Sequence, residues 1–173
     1  MPELLLLRHA KSDWRDRNLD DFDRPLAPRG RRAAPLMGRY LHAEGLIPDL
    51  ILCSTARRAV ETLDLLLTAL ASRPEIGYLK TLYLAPPSRM LAVLRRQSPD
   101  RSRILLIAHN PGLQNLALDL AGSAGSDAAR RLAEKFPTAA LARFQVSDWG
   151  SLGDAPARLA AFVRPRDLAG RFE

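Results

Sequence analysis

The chain contains three histidines, His9, His42 and His109. Two of them directly follow short apolar runs: His9 comes after Leu4 to Leu7 and Arg8, and His109 comes after Ile104 to Ala108. A third run, Leu50 to Leu52, is followed by Ser54, Thr55, Arg57 and Arg58. Parallel α/β sheets present ligand-binding groups at the carboxyl ends of their strands, so these three segments are expected to converge on one edge. A neutral imidazole is a nucleophile, and guanidinium stays charged and donates two bonds in a planar fork that matches phosphate. The combination points to an anion site with a nucleophile in it. His42 lies mid-way along an amphipathic stretch and reads as a surface or interhelical residue.

Two other chemistries fit less well. Cys53 precedes arginines, as in the thiol phosphatases, but four residues separate it from Arg58 where that loop has five. The glycines that let backbone amides wrap a phosphate are missing too. Cys53 therefore reads as a buried thiol at a strand end. Three histidines and one cysteine make no zinc-type cluster, so neither a metal nor another cofactor is expected.

The elements that must position these residues can be drawn from periodicity. The three apolar runs read as buried parallel strands. Helices are expected over Arg29 to Glu44, along the stripe Ala59, Leu63, Leu66, Leu67 and Leu70 with Ser54 or Thr55 as cap, and from Pro111, capped by Asn110, to about Ala121. A strand near Tyr78 to Leu82 and a helix from Ser88 to Arg96 follow the same pattern. Ala139 to Val146 and Arg158 to Val163 read as strands that extend the sheet or cross it antiparallel, while Gly122 to Asp127 and Ser147 to Pro156 read as loops. The expected architecture is a three-layer α/β/α sandwich whose mostly parallel central sheet carries an antiparallel edge strand.

At 173 residues, 47% of them hydrophobic, the chain is expected to form one domain over 1–173. One cysteine argues against a disulfide scaffold. The balance of 26 Lys+Arg against 19 Asp+Glu, a net charge of +7, argues against an acidic disordered chain. No signal or membrane-spanning run is visible, so a soluble cytoplasmic protein is expected.

Four fragments, in order and at compatible spacing, carry a resemblance to a known family. They are Leu7-Arg8-His9-Ala10-Lys11-Ser12, Asp23-Arg24-Pro25-Leu26 with Arg29-Gly30, Ser54 through Arg58-Ala59-Val60-Glu61-Thr62, and Ala108-His109-Asn110-Pro111-Gly112. Phe162-Val163-Arg164-Pro165 adds to them. Together they resemble the histidine phosphatase superfamily, with its phosphoglycerate mutase-like fold, and especially its SixA-type phosphohistidine phosphatase branch. The resemblance implies that His9 is the nucleophile that becomes phosphorylated. It implies that Arg8, Arg58 and a protonated His109 hold the phosphoryl oxygens, and that Ser12 places a hydroxyl near the phosphate. Arg57 is the rival for Arg58 if the alignment slips by one.

The sequence departs from the family pattern in two ways. Ala10 stands where glycine is usual, and the segment Lys80 to Pro86 has no carboxylate to protonate an alcohol leaving group. The second departure favours a phosphohistidine substrate, with Asp13, Asp21 and Asp23 as the first suspects should an acid exist. The implied partner is a phosphorylated protein, such as a histidine-containing phosphotransfer domain, or a small phosphorylated substrate, and no membrane. The alternatives are a phosphatase of a small metabolite or another phosphoester, and, from a different class, a basic module that binds nucleic acid or phosphoprotein. The second alternative rests on the charge and on Arg29-Gly30-Arg31-Arg32. Nucleic acid is the weaker partner, because only 6% of residues are aromatic.

Overall fold

The computed structural model describes residues 1–172. Six strands, β1 (Glu3–Arg8), β2 (Leu50–Ser54), β3 (Glu75–Leu79), β4 (Arg103–Ala108), β5 (Leu141–Gln145) and β6 (Arg158–Val163), form one sheet in the order β3-β2-β4-β1-β5-β6. Strands β1 to β4 are mutually parallel, and β5 pairs antiparallel with both β1 and β6. The strand that runs against the rest is thus one in from the edge.

Five helices cover the sheet: α1 (Pro28–Ala43), α2 (Arg57–Leu70), α3 (Pro87–Arg95), α4 (Gly112–Ala121) and α5 (Asp127–Glu134). Side chains alternate across a strand, so each central strand feeds two cores. Leu5, Leu7, Leu105 and Ile107 pack with Met37 and Leu41 of α1 and Leu63 and Leu66 of α2. Leu4, Leu6, Ile104 and Leu106 face Met90 and Leu94 of α3, Leu113 and Leu116 of α4, and Leu132 of α5. This double coverage is why β1 and β4 read as unbroken apolar runs rather than as alternating ones.

The structure corrects four boundaries. The third strand is Glu75–Leu79, and Lys80–Leu82 is a 3-10 turn where a strand was expected. Helix α2 is capped by neither Ser54 nor Thr55: its first turn follows Ala56, and Ser54 ends β2. Helix α4 begins at Gly112, after a cis Asn110–Pro111 bond, with Pro111 at the cap position. Asn110 still contributes there, since its Oδ1 accepts the Gln114 N–H at 3.1 Å. Helix α5 has no counterpart among the expected elements, and Asp127, expected in a loop, opens it with Ser126 as cap: the Ser126 side chain accepts the Ala129 N–H.

Two glycines decide how the top of the sheet is assembled. A Cβ on Gly30 would sit 2.3 Å from the Lys11 carbonyl oxygen, so only glycine lets α1 pass the turn that follows His9. A Cβ on Gly112 would sit 1.9 Å from the Ala85 carbonyl oxygen. Its absence brings the segment carrying Tyr83 against the start of α4, beside His109.

Candidate active site

Strand register sets the first layer of the site. Leu6 is level with Leu106, and Leu106 with Leu52, so β1, β4 and β2 end together at Arg8, Ala108 and Ser54. His9 and His109 follow, with ring centroids 5.1 Å apart. They are 6% and 1% exposed, and Arg58, in the first turn of α2, is 5% exposed. Arg57 points away, exposed and paired with Glu61 at 3.1 Å. The structure thus brings together Arg8, His9, Arg58 and His109 and leaves Arg57 outside.

The proton on His9 can be placed. Its Nδ1 lies 2.7 Å from the Ala10 carbonyl, which can only accept, so Nδ1 carries the hydrogen. Burial, and then the charges on Arg58 and Arg8, outweigh that bond and lower the His9 pKa to about 3. The ring is therefore neutral near pH 7, with an unprotonated Nε2 whose lone pair accepts a hydrogen bond from Arg58. Arg58 Nε points at that lone pair from 3.4 Å. A donor for phosphoryl oxygen and the attacking atom thus flank the same small space.

His109 differs from the expectation. Burial first, then the neighbouring His9, Arg58 and Arg8, lower its pKa to about 3, so it is neutral rather than protonated in the free protein. Its Nε2 is hydrogen-bonded to Ser54 Oγ at 2.7 Å, and its Nδ1 is buried without a partner among the described residues. Ser12 is buried on the turn after His9 and bridges to Leu26, and its hydroxyl makes no hydrogen bond to the other four residues among those described. Cys53 is fully buried, and burial pushes its thiol pKa far up, which removes it as a nucleophile.

The remaining parts were only partly legible in the sequence. Arg8 Nη1 donates to the Phe136 carbonyl at 3.0 Å, and Asn110 Nδ2 to the same oxygen at 3.1 Å. Ala139, in the left-handed region at φ 61°, gives its N–H to both the Arg8 and His9 carbonyls at 3.0 Å. Thr62 Oγ1 accepts the Ala10 N–H at 2.9 Å and donates to the Arg58 carbonyl at 2.7 Å. Glu61 accepts the Leu26 N–H at 2.8 Å. The Glu-Thr pair of the third fragment is therefore a clamp that fixes the β1–α1 loop on α2.

A carboxylate does reach the site, from that same loop. Arg58 Nη1 donates to the Asp21 carbonyl at 2.6 Å and Nη2 to its carboxylate at 2.9 Å. Tyr83 donates to the same carboxylate oxygen at 2.5 Å, and its ring stands edge-on to His109 at 5.5 Å. Burial pushes the Asp21 pKa up, but Tyr83 and Arg58 together outweigh it and hold the group below its ordinary value. Asp21 is therefore an anion, not a ready acid. Asp13 is engaged with Arg15 instead.

Comparison with known proteins places this arrangement. The sequence model of the histidine phosphatase superfamily (branch 1) matches residues 4–80, the stretch that supplies Arg8, His9, Asp21 and Arg58. The chain belongs to the histidine phosphatase superfamily. An uncharacterised Mycobacterium tuberculosis protein is 39% identical over 163 residues, covering 92% of this chain and 100% of that one. Among solved structures, a candidate phosphohistidine phosphatase SixA of Agrobacterium tumefaciens superposes at TM-score 0.81 with 29% identity, over 95% of this chain and 99% of that one. A second SixA candidate, from Nakamurella multipartitia, gives TM-score 0.80 and 28% identity over 95% and 96%. These two superpositions cover 95% of this chain and so reach well beyond the residues 4–80 that the sequence model matches.

Proposed function

We propose that this histidine phosphatase hydrolyses the phosphoramidate of a phosphorylated histidine in a protein, through a covalent phosphate on His9. The observation that carries the reading is the neutral His9 ring, with Nδ1–H tied to the Ala10 carbonyl and an unprotonated Nε2 that accepts only from Arg58 Nε, a donor an incoming phosphoryl oxygen can take over. Nε2 attacks phosphorus in line as the substrate P–N bond breaks. The leaving imidazole departs neutral, because its other nitrogen takes a proton from solvent. Arg8 and Arg58 stabilise charge on the equatorial oxygens. The arriving dianion beside His109 favours its charged form and offsets both its burial and the charges of Arg58 and Arg8, so His109 takes up a proton and becomes a third donor. Water then attacks the phosphorus, the P–Nε2 bond breaks, inorganic phosphate leaves, and the surplus proton returns to solvent.

An alkyl phosphoester would need an acid for its alkoxide. Asp21 is the carboxylate in position, and Tyr83 and Arg58 both stabilise its anion, which favours the phosphoramidate. The SixA candidates among the structural relatives support the same choice. The test is phosphate release from a phosphohistidine peptide in the presence of EDTA, with inhibition by vanadate. No release, or release lost on chelation and restored by a divalent ion, would overturn the reading.

A further inference from the structure

Alongside the site runs a groove of about 850 Å³. Arg29, Arg31, Arg32 and Arg39 of α1 line one wall, and Lys135, Pro137, Thr138 and the Arg164–Arg166 segment line the other. Lys11, two residues after His9, is part of the lining too. The opposite wall also leads to the site, because the residue after Thr138 is Ala139, whose N–H holds the Arg8 and His9 carbonyls. Both walls of the groove therefore carry residues within two positions of the segments that build the site.

Its charge is one-sided. Glu134 is the only carboxylate in the lining. Arg131 and Arg164 are paired with Asp127 and Asp167. The four arginines of α1, with Lys11, Lys135 and Arg166, are exposed and make no ion pair among the described residues. Like charges held this close repel one another, and an anionic partner relieves that repulsion while being steered towards the site. Between them the surface is aliphatic, from Ala33, Leu36, Pro137 and Pro165. No aromatic side chain lines the groove, so it offers no stacking platform for bases.

We propose that the groove docks an acidic segment of the substrate protein, one that mixes Asp and Glu with aliphatic residues, while the phosphorylated histidine enters the pocket beside it. The proposal rests on the phosphohistidine reading for what occupies the pocket, and on the groove alone for the acidic segment.

The test uses the full chain and a short fluorescein-labelled peptide of Glu, Asp and Leu, followed by anisotropy. The peptide should bind, more weakly as salt rises, and the double variant R32E/R39E should bind about tenfold or more weakly than wild type. His9→Ala should bind as wild type does, so a failure of the catalytic reading leaves this result standing. A single-stranded oligonucleotide of equal charge should bind less tightly. Peptide binding that R32E/R39E leaves unchanged, or tighter binding of the oligonucleotide, would overturn the proposal. A kinetic arm separates docking from folding: R32E/R39E should lower kcat/KM for a phosphohistidine peptide with an acidic flank about tenfold more than for phosphoramidate itself. Equal losses on both substrates would overturn it as well.

Discussion

Both terminal nitrogens of Arg58 are held by Asp21, Nη1 on its carbonyl at 2.6 Å and Nη2 on its carboxylate at 2.9 Å. That leaves Nε to face His9, so a residue of the β1–α1 loop aims an arginine of α2 at the nucleophile of β1. Asp21 is a positioning residue in this account, and its negative charge opposes an incoming phosphate. Asp21→Asn should therefore lower KM for an aryl phosphate while kcat falls about ten- to hundredfold through loss of alignment. A raised KM with unchanged kcat would show that Asp21 contacts the substrate instead.

Thr62 ties the two halves of the site together, and it is fully buried. Thr62→Val removes the acceptor for the Ala10 N–H and strands that group away from water. It should cost about 1–3 kcal/mol in chemical denaturation and lower kcat as well. Thr62→Ser should recover most of both. A valine variant as stable and active as wild type would remove this residue from the account.

Acid should weaken the fold in a window that belongs to the two site histidines. Each titrates near pH 6.5 when unfolded and near 3 when folded, so the unfolded chain binds more protons between those values. Stability is then fully present above about pH 6.5 and is lost as pH falls towards 3. Asp21, Asp167 and Glu3 are also lowered on folding, and their contributions share this sign but are lost nearer the ordinary carboxylate range. Thermal melts of wild type and a His9→Gln/His109→Gln double variant between pH 7 and 5 check this. The wild-type Tm should fall more steeply, and parallel slopes would contradict the burial of neutral rings.

The leaving group should decide the rates. Because Asp21 is held as an anion, kcat/KM should rank phosphohistidine peptides or phosphoramidate first, aryl phosphates such as p-nitrophenyl phosphate next, and alkyl phosphates such as phosphoserine last. Alkyl phosphates turned over as fast as the others, with that activity lost in Asp21→Ala, would make Asp21 the acid.

Much of this was legible in the sequence, for identifiable reasons. Buried parallel strands announce themselves as apolar runs, and the residues that follow them must share an edge, which groups Arg8, His9, the Ser54 to Arg58 segment and His109 before any coordinates; the choice of Arg58 over Arg57 rests on the family resemblance. The charge state of His109 was not legible, because a pKa depends on burial and on neighbours from other elements. The role of Asp21 was hidden for a related reason. Lys80 to Pro86, where the family pattern places a carboxylate, supplies the phenol of Tyr83 instead, and the carboxylate arrives from the loop after β1, where sequence alone does not separate Asp21 from Asp13 and Asp23. Helix α5 is hard to read because it has only eight residues and three of its four apolar ones are alanine, which leaves Leu132 as its single buried side chain. The third strand is displaced because Tyr78 and Leu79 run on into a 3-10 turn whose Thr81 and Leu82 are residue types that also suit a strand.

The central claim is that His9 Nε2 carries the phosphate during turnover. Rapid quenching of the protein with radiolabelled phosphoramidate, followed by digestion and mapping, tests it directly. The account predicts an acid-labile, base-stable label on the peptide containing His9, formed as fast as the first turnover and absent from His9→Ala. It also predicts label formation slowed by roughly two to three powers of ten in Arg8→Ala, Arg58→Ala and His109→Ala. Label retained by His9→Ala, or full turnover by that variant, would contradict it.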